Sequence, residues 1–251
     1  MSGETPPPGR DVGTTMTVPA VEPAAGPWAP LDLGDLLRRV LAPVAPRNGP
    51  VVLAVDGRGA SGKSTLTDRL VTRAVAEGLR AGAVHTDDVA WNHSFFDWAD
   101  LLRDGVLVPA RRGEGVRYRP PAWPVHGRDG AVEVPQGTDL LVVEGVGAGR
   151  RELSEFLDVV VWVQSDFAQA ERRGIARDTA SGVNGDEAGT IAFWHQWMDE
   201  ELRFLAADRP WERADVVVAG TPVIPLRPHE VAVSVPGRAG TATGPPPTPT
   251  T

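Results

Sequence analysis

Of the 25 lysines and arginines in this chain, Lys63 alone is a lysine, and it stands in the run Gly57-Arg58-Gly59-Ala60-Ser61-Gly62-Lys63-Ser64. The run satisfies G-x-x-x-x-G-K-[ST] at every fixed position, the pattern of a loop whose backbone N–H groups cradle phosphates. A compact ammonium reaches between β- and γ-phosphates where a planar guanidinium fits poorly. Gly57, Gly59, Ala60, Ser61, Gly62, Lys63, Ser64 and Thr65 are therefore the expected nucleotide-binding residues. Lys63 also acts on the transferred group, and the Ser64 hydroxyl is expected on a metal ion. ATP and Mg²⁺ are the expected cofactors.

Asp87 and Asp88 follow one apolar run and Glu144 follows another. Phosphoryl transfer to an alcohol needs a carboxylate to orient the hydroxyl and take its proton, and a second to hold the Mg²⁺ shell. Asp87 or Asp88 suits the first role and Glu144 the second; turn formation or helix capping is the alternative for all three. Arg173 and Arg177 are four apart and share a helical face, with Arg172 beside them. They suit a lid over the γ-phosphate, or else a solvated charged face. None of the five histidines stands in an H-E-x-x-H spacing, so no structural metal site is expected. Eight tryptophans accompany one tyrosine. Trp194 reads as core, whereas Trp91, Trp98 and Trp123 lie in loop-rich stretches near the expected site.

These side chains need a scaffold. Val51 to Asp56 is a short β-branched, apolar run, and Leu66, Leu70, Ala74 and Val75 recur at helical spacing up to Gly78. Strand, glycine loop and helix is the context the motif requires. Further strands are expected at 82–85, 140–143, 159–163 and 216–218. Helices are expected over 31–41, 95–102, 166–178 and 191–205. Residues 105–137 read as loops carrying a hairpin, 116–119 with 131–134. The fold class is α/β: a doubly wound, mainly parallel five-stranded sheet of P-loop NTPase type with a small lid and a hairpin insertion. Ligands in such sheets bind beyond the carboxyl ends of the strands.

Seven prolines fall within residues 1–30 and five within 236–251, compositions that bury too little apolar surface to offset ordering. Both are expected to be disordered tails flanking one kinase-sized domain over 31–235. The net charge of −8 argues against nucleic-acid or anionic-membrane partners. The absence of cysteine excludes disulfides and thiol catalysis. With no long apolar run and no signal-peptide pattern, a cytoplasmic location is expected. The expected partner is a small-molecule substrate, with assembly of identical chains left open.

From about Val51 to Gly220 the residues resemble the uridine kinase family of P-loop kinases, with phosphoribulokinase and bacterial pantothenate kinase as wider relatives. Thr86-Asp87-Asp88 is similar to the family's strand-end catalytic base; the resemblance favours Asp87 and leaves Asp88 beside the substrate. Phe95-Phe96-Asp97-Trp98 resembles the segment whose Asp holds ribose hydroxyls, which implies that role for Asp97. Trp123-Pro124-Val125-His126-Gly127-Arg128 resembles the run that holds a pyrimidine, implying Trp123 and His126. Arg173-Gly174-Ile175-Ala176-Arg177-Asp178 resembles the lid. The chain departs from the family at Pro121-Ala122, where Tyr-Asp is usual, at Gly174, where an arginine is usual, and over 181–185. The resemblance implies γ-phosphoryl transfer to a uridine or cytidine 5′-hydroxyl. The alternatives are another metabolite alcohol, or a nucleotide-binding regulatory protein with little turnover.

Overall fold

A computed structural model of the chain describes residues 16–42, 44–45, 48–221 and 223–234. The strands are β1 (Ala29–Asp32), β2 (Val51–Gly57), β3 (Ala81–His85), β4 (Val116–Tyr118), β5 (Val132–Val134), β6 (Leu140–Glu144), β7 (Val159–Gln164), β8 (Val216–Ala219) and β9 (Glu230–Ser234). The helices are α1 (Leu33–Leu41), α2 (Lys63–Ala76), α3 (Thr86–Ala90), α4 (Ala99–Leu102), α5 (Val108–Arg111), α6 (Ala122–Val125), α7 (Phe167–Ser181) and α8 (Glu187–Asp208).

The main sheet has seven strands in the order β1-β9-β8-β7-β2-β6-β3. The run β8-β7-β2-β6-β3 is parallel, as expected of five alternating strands. Two antiparallel strands, β9 and β1, extend it. The hairpin insertion is the separate pair β4–β5. Because side chains alternate along a strand, β2 sends Val52 and Ala54 to one face and Leu53 and Val55 to the other, so both faces carry a core. Leu36, Leu37 and Val40 of α1 and Leu66, Leu70 and Ala74 of α2 cover one face. Leu102, Val106, Leu107 and Ala110, together with Leu205 of α8, cover the other. Each leucine so buried stabilises the fold by about 1.5–3 kcal/mol. Among the described residues, no helix is long and apolar enough to cross a membrane.

The expected tails need correction. Residues 1–15 and 235–251 lie outside the described residues, but from Met16 the chain is packed. Met16 is buried with Val223 and Ala232. The buried Glu22 carboxylate accepts from Trp162 Nε1 at 2.6 Å and Gln164 Nε2 at 2.7 Å, and the Ala25 N–H donates to Gln164 Oε1 at 2.8 Å. Proline supplies no N–H and has little backbone freedom to lose, so a few side-chain bonds hold this stretch. It then enters the sheet as β1, against a strand nearly 200 residues away. Residues 105–111, expected as loop, are helical: α4 runs through a π-helical stretch, Arg103–Leu107, into α5.

Candidate active site

The parallel strands all end on one side of the sheet, and there the β2–α2 loop turns back over the strand ends. At Gly57 the backbone has φ +154°, and a Cβ would stand 2.5 Å from the Val163 carbonyl oxygen, which restricts the position to glycine. Gly62 then caps α2 in the left-handed region, φ 102°. The first turn of α2 carries no acidic side chain, so its partial positive charge stays available to an anion. The Lys63 ammonium is buried under the loop and donates to the Arg58 carbonyl at 2.8 Å.

Register brings the carboxylates to this lysine. His85 and Glu144 are partners across β3 and β6, and His85 Nδ1 lies 2.6 Å from Glu144 Oε2. The Ser64 hydroxyl donates to the same oxygen at 3.3 Å. Burial pushes the Glu144 carboxyl up, but His85, Lys63 and Ser64 outweigh it and hold Glu144 below the usual range. Asp87 is the second residue of α3, two past that strand end, and faces the same cleft. Water reaches it from the cleft, yet the surrounding protein raises its pKa, with Lys63 pulling the other way. Among the described residues, no group of three or more His, Asp or Glu could hold a metal ion alone. Ser64 and Glu144 nevertheless offer adjacent hard oxygens, the donors Mg²⁺ prefers when phosphate and water complete its shell.

Two buried acids support the loop from behind. Glu201 of α8 accepts from the Gly59 N–H at 2.6 Å and from Arg58 Nε at 3.5 Å. Asp56, fully buried at the end of β2, accepts from the N–H groups of Gly57, Gly147 and Gly149 at 2.6, 2.8 and 2.8 Å. Desolvation raises the Asp56 carboxyl to about 6 despite those donors. The folded chain therefore binds this proton more tightly than the unfolded chain does. The resulting stability is complete below the ordinary value of 3.8 and is lost as pH rises through about 6. Asp56→Asn has no such titration. The stability advantage of the wild type over that variant should shrink by up to roughly 3 kcal/mol between about pH 4 and about pH 7. Urea unfolding at the two pH values checks this, and an advantage that grows with pH contradicts it.

The lid residues reach the cleft differently. Arg173 donates to the carbonyls of Ala60 at 2.8 Å and Gly220 at 3.3 Å, tying α7 to the phosphate loop. Arg177 pairs with Asp178 at 2.7 Å and lines the cleft, whereas Arg172 is exposed and takes no part in the cleft wall. Gly174 has a steric cause: a Cβ there would stand 2.0 Å from the Trp194 ring. That ring is buried and its indole N–H donates to Asp178 Oδ2 at 2.7 Å, so it has little freedom to yield. Alanine normally stabilises a helix interior over glycine by about 1 kcal/mol. Here Gly174→Ala should instead destabilise by about 1–3 kcal/mol through overpacking. A lowered thermal unfolding midpoint is expected; a raised one contradicts the packing.

The residues expected on the substrate are placed elsewhere. Trp123 is buried in the core, its indole N–H donates to the Asp88 carbonyl at 2.8 Å, and the Arg128 guanidinium lies 3.9 Å over its ring. It therefore offers no free stacking face, because α6 and the β4–β5 hairpin fold it inward. The Asp88 carboxylate is engaged by Arg128. His126 is exposed and meets Trp91 edge-on at 6.0 Å. Asp97 is exposed and acts electrostatically on the buried Arg150. None of these four lines the cleft of about 810 Å³, whose lining beyond the phosphate loop includes Asp87, Glu144, Arg173 and Arg177 together with the rings of Trp91, Phe193 and Trp197.

Glu201, Asp56, Trp194 and Trp197 were not expected at the site. Glu201 stands within an acidic run, Asp199-Glu200-Glu201, that reads as solvated surface. Its spacing of seven from Trp194, three from Met198 and four from Leu205 puts it on the buried face of α8, and that signal is in the sequence.

No protein-family model and no curated protein matches the chain. Among solved structures, a candidate fructose transport system kinase from Silicibacter sp. TM1040 is similar with a TM-score of 0.53 and 23% identity, covering 71% of this chain and 95% of that one. The YGR205w protein gives 0.51 at 10% identity over 82% and 100%. A candidate uridine kinase from Bacillus stearothermophilus gives 0.48 at 21% identity over 74% and 96%. The likeness is one of fold: a mostly parallel α/β sheet with flanking helices.

Proposed function

We propose that this chain is a kinase that moves the γ-phosphoryl group of ATP to a hydroxyl of a small molecule. The observation that carries the reading is the convergence of Lys63, Ser64, Glu144 and Asp87 on one cleft beyond the strand ends. The loop amides and the α2 N-terminus would hold the phosphates, and Lys63 would neutralise charge on the γ-group. Ser64 and Glu144 would hold Mg²⁺, which when bound neutralises charge developing on the phosphate oxygens. The Asp87 carboxylate takes the acceptor proton as the acceptor oxygen bonds to the γ-phosphorus. The bond from that phosphorus to the β–γ bridging oxygen breaks, and ADP leaves. Arg177, which lines the cleft, would close over the transferred group.

For the acceptor, the burial of Trp123 favours another metabolite alcohol over the 5′-hydroxyl of uridine or cytidine. The test is incubation with Mg²⁺ and ATP against uridine, cytidine, sugars, pantothenate and simple alcohols, with product masses read. One class of alcohol should gain a single phosphoryl group. ATP binding without any phosphorylated alcohol would replace this reading with that of a nucleotide-binding regulatory protein.

A further inference from the structure

Part of the cleft lining, beside the phosphate loop, is a wall of large apolar side chains. Trp91, Phe193 and Trp197 line it, with Val146 and Val183. These rings are fixed in place before any ligand arrives. Trp197 meets Phe95 edge-on at 5.0 Å and Phe96 tilted at 5.3 Å. Phe96 stacks on Phe204 at 4.5 Å and 6°, and Phe95 meets Phe193 edge-on at 6.0 Å. This ladder joins α8 to the segment before α4, so the wall cannot collapse into the cleft without unpacking both.

Two further features need an occupant. Phe193 and Val183 stay 36% and 69% exposed at the cleft, an apolar surface that soluble proteins usually bury or use. The Asn184 side-chain nitrogen beside them is buried without a hydrogen-bond partner. Such an orphan costs about 1–3 kcal/mol until something accepts from it. A nucleobase edge or a polyol would bring several donors and acceptors against this wall and leave most of them unpaired. A flat ring with an acceptor atom matches both the aromatic faces and the unpartnered Asn184 nitrogen beside them.

We propose that the acceptor is an alcohol carrying a planar, largely apolar ring, seated on Trp91, Phe193 and Trp197 with one acceptor atom toward Asn184. This rests on the kinase reading above and narrows its substrate class. The reacting hydroxyl would then point toward Asp87, which lines the same cleft.

The test uses the full chain with Mg²⁺ and ATP and compares 2-phenylethanol and 3-pyridinemethanol with glycerol and uridine. The ring alcohols should give the higher kcat/KM. Phe193→Ala should raise KM for them roughly tenfold, the scale of one lost aromatic contact on a desolvated face. Trp197→Phe should retain most of that binding and Trp197→Ala should lose it. Phe193 is exposed enough that its truncation does not threaten the fold, so the test does not depend on the tryptophan variant. Transfer to glycerol or uridine at least as efficient as to the ring alcohols overturns the inference and leaves the kinase reading standing. Wall variants that raise KM for ATP instead of the alcohol overturn it too, because the wall would then belong to the nucleotide. ATP binding with no transfer to any alcohol ends both.

Discussion

Lys63→Ala should abolish the proposed phosphoryl transfer, a loss of roughly 10³-fold or more, while the folded chain persists. The ammonium is buried against the loop and donates to the Arg58 carbonyl. Removing it frees a carbonyl, a cost of about 1 kcal/mol, but it also removes a buried charge from the folded state. Stability therefore changes little, and transfer loses the ammonium that the loop encloses. Lys63→Arg should fail nearly as badly, because the planar guanidinium neither fits under the loop nor presents a point charge. Steady-state turnover with a circular dichroism melt separates the two effects. A Lys63→Ala protein that still turns over ATP at near wild-type rate contradicts the account.

Asp87→Asn carries the second large effect. A positioned general base contributes about 10²–10⁴-fold, so kcat should fall by that much with KM for ATP little changed. The direction of the pKa shift adds a signature. Burial holds the Asp87 carboxyl above the ordinary carboxylate value of 3.8. Activity that needs its ionised form should therefore be lost as pH falls through that raised value. The Asn variant should lack this acid limb. The control is Asp88→Asn: its carboxylate is engaged by Arg128 beside Trp123 rather than facing the cleft, so its loss should act on the packing there. If Asp88→Asn stops transfer and Asp87→Asn does not, the base has been misassigned.

The sequence was most informative where chemistry depends on residues close together in the chain. The β2 run, the glycine loop and the α2 spacing are contiguous, so the phosphate site could be read directly from the motif. Asp87 and Glu144 were legible because a strand end in a parallel sheet is a fixed place relative to the loop. What escaped depends on distant pairing. Strands β1 and β9 exist because the two ends of the domain meet, and neither stretch alone distinguishes a strand from a proline-rich tail. The Trp123 segment matched a substrate-binding run in residue types, but its orientation is set by the Arg128 stack and by the Asp88 carbonyl 35 residues away. Gly174 looked like a lost lid arginine; in the structure, Trp194 of the next helix occupies the space a side chain would need. The lid and acceptor wall thus follow from how α7 and α8 pack, which local patterns do not encode.

The most direct measurement is the stoichiometry of one reaction. The full chain is incubated with γ-labelled ATP, Mg²⁺ and an alcohol accepted in the panel, and ADP, labelled phosphoester and free labelled phosphate are quantified together. The account predicts one phosphoester per ADP with little free phosphate. ADP matched by free phosphate, with no labelled ester, would contradict it.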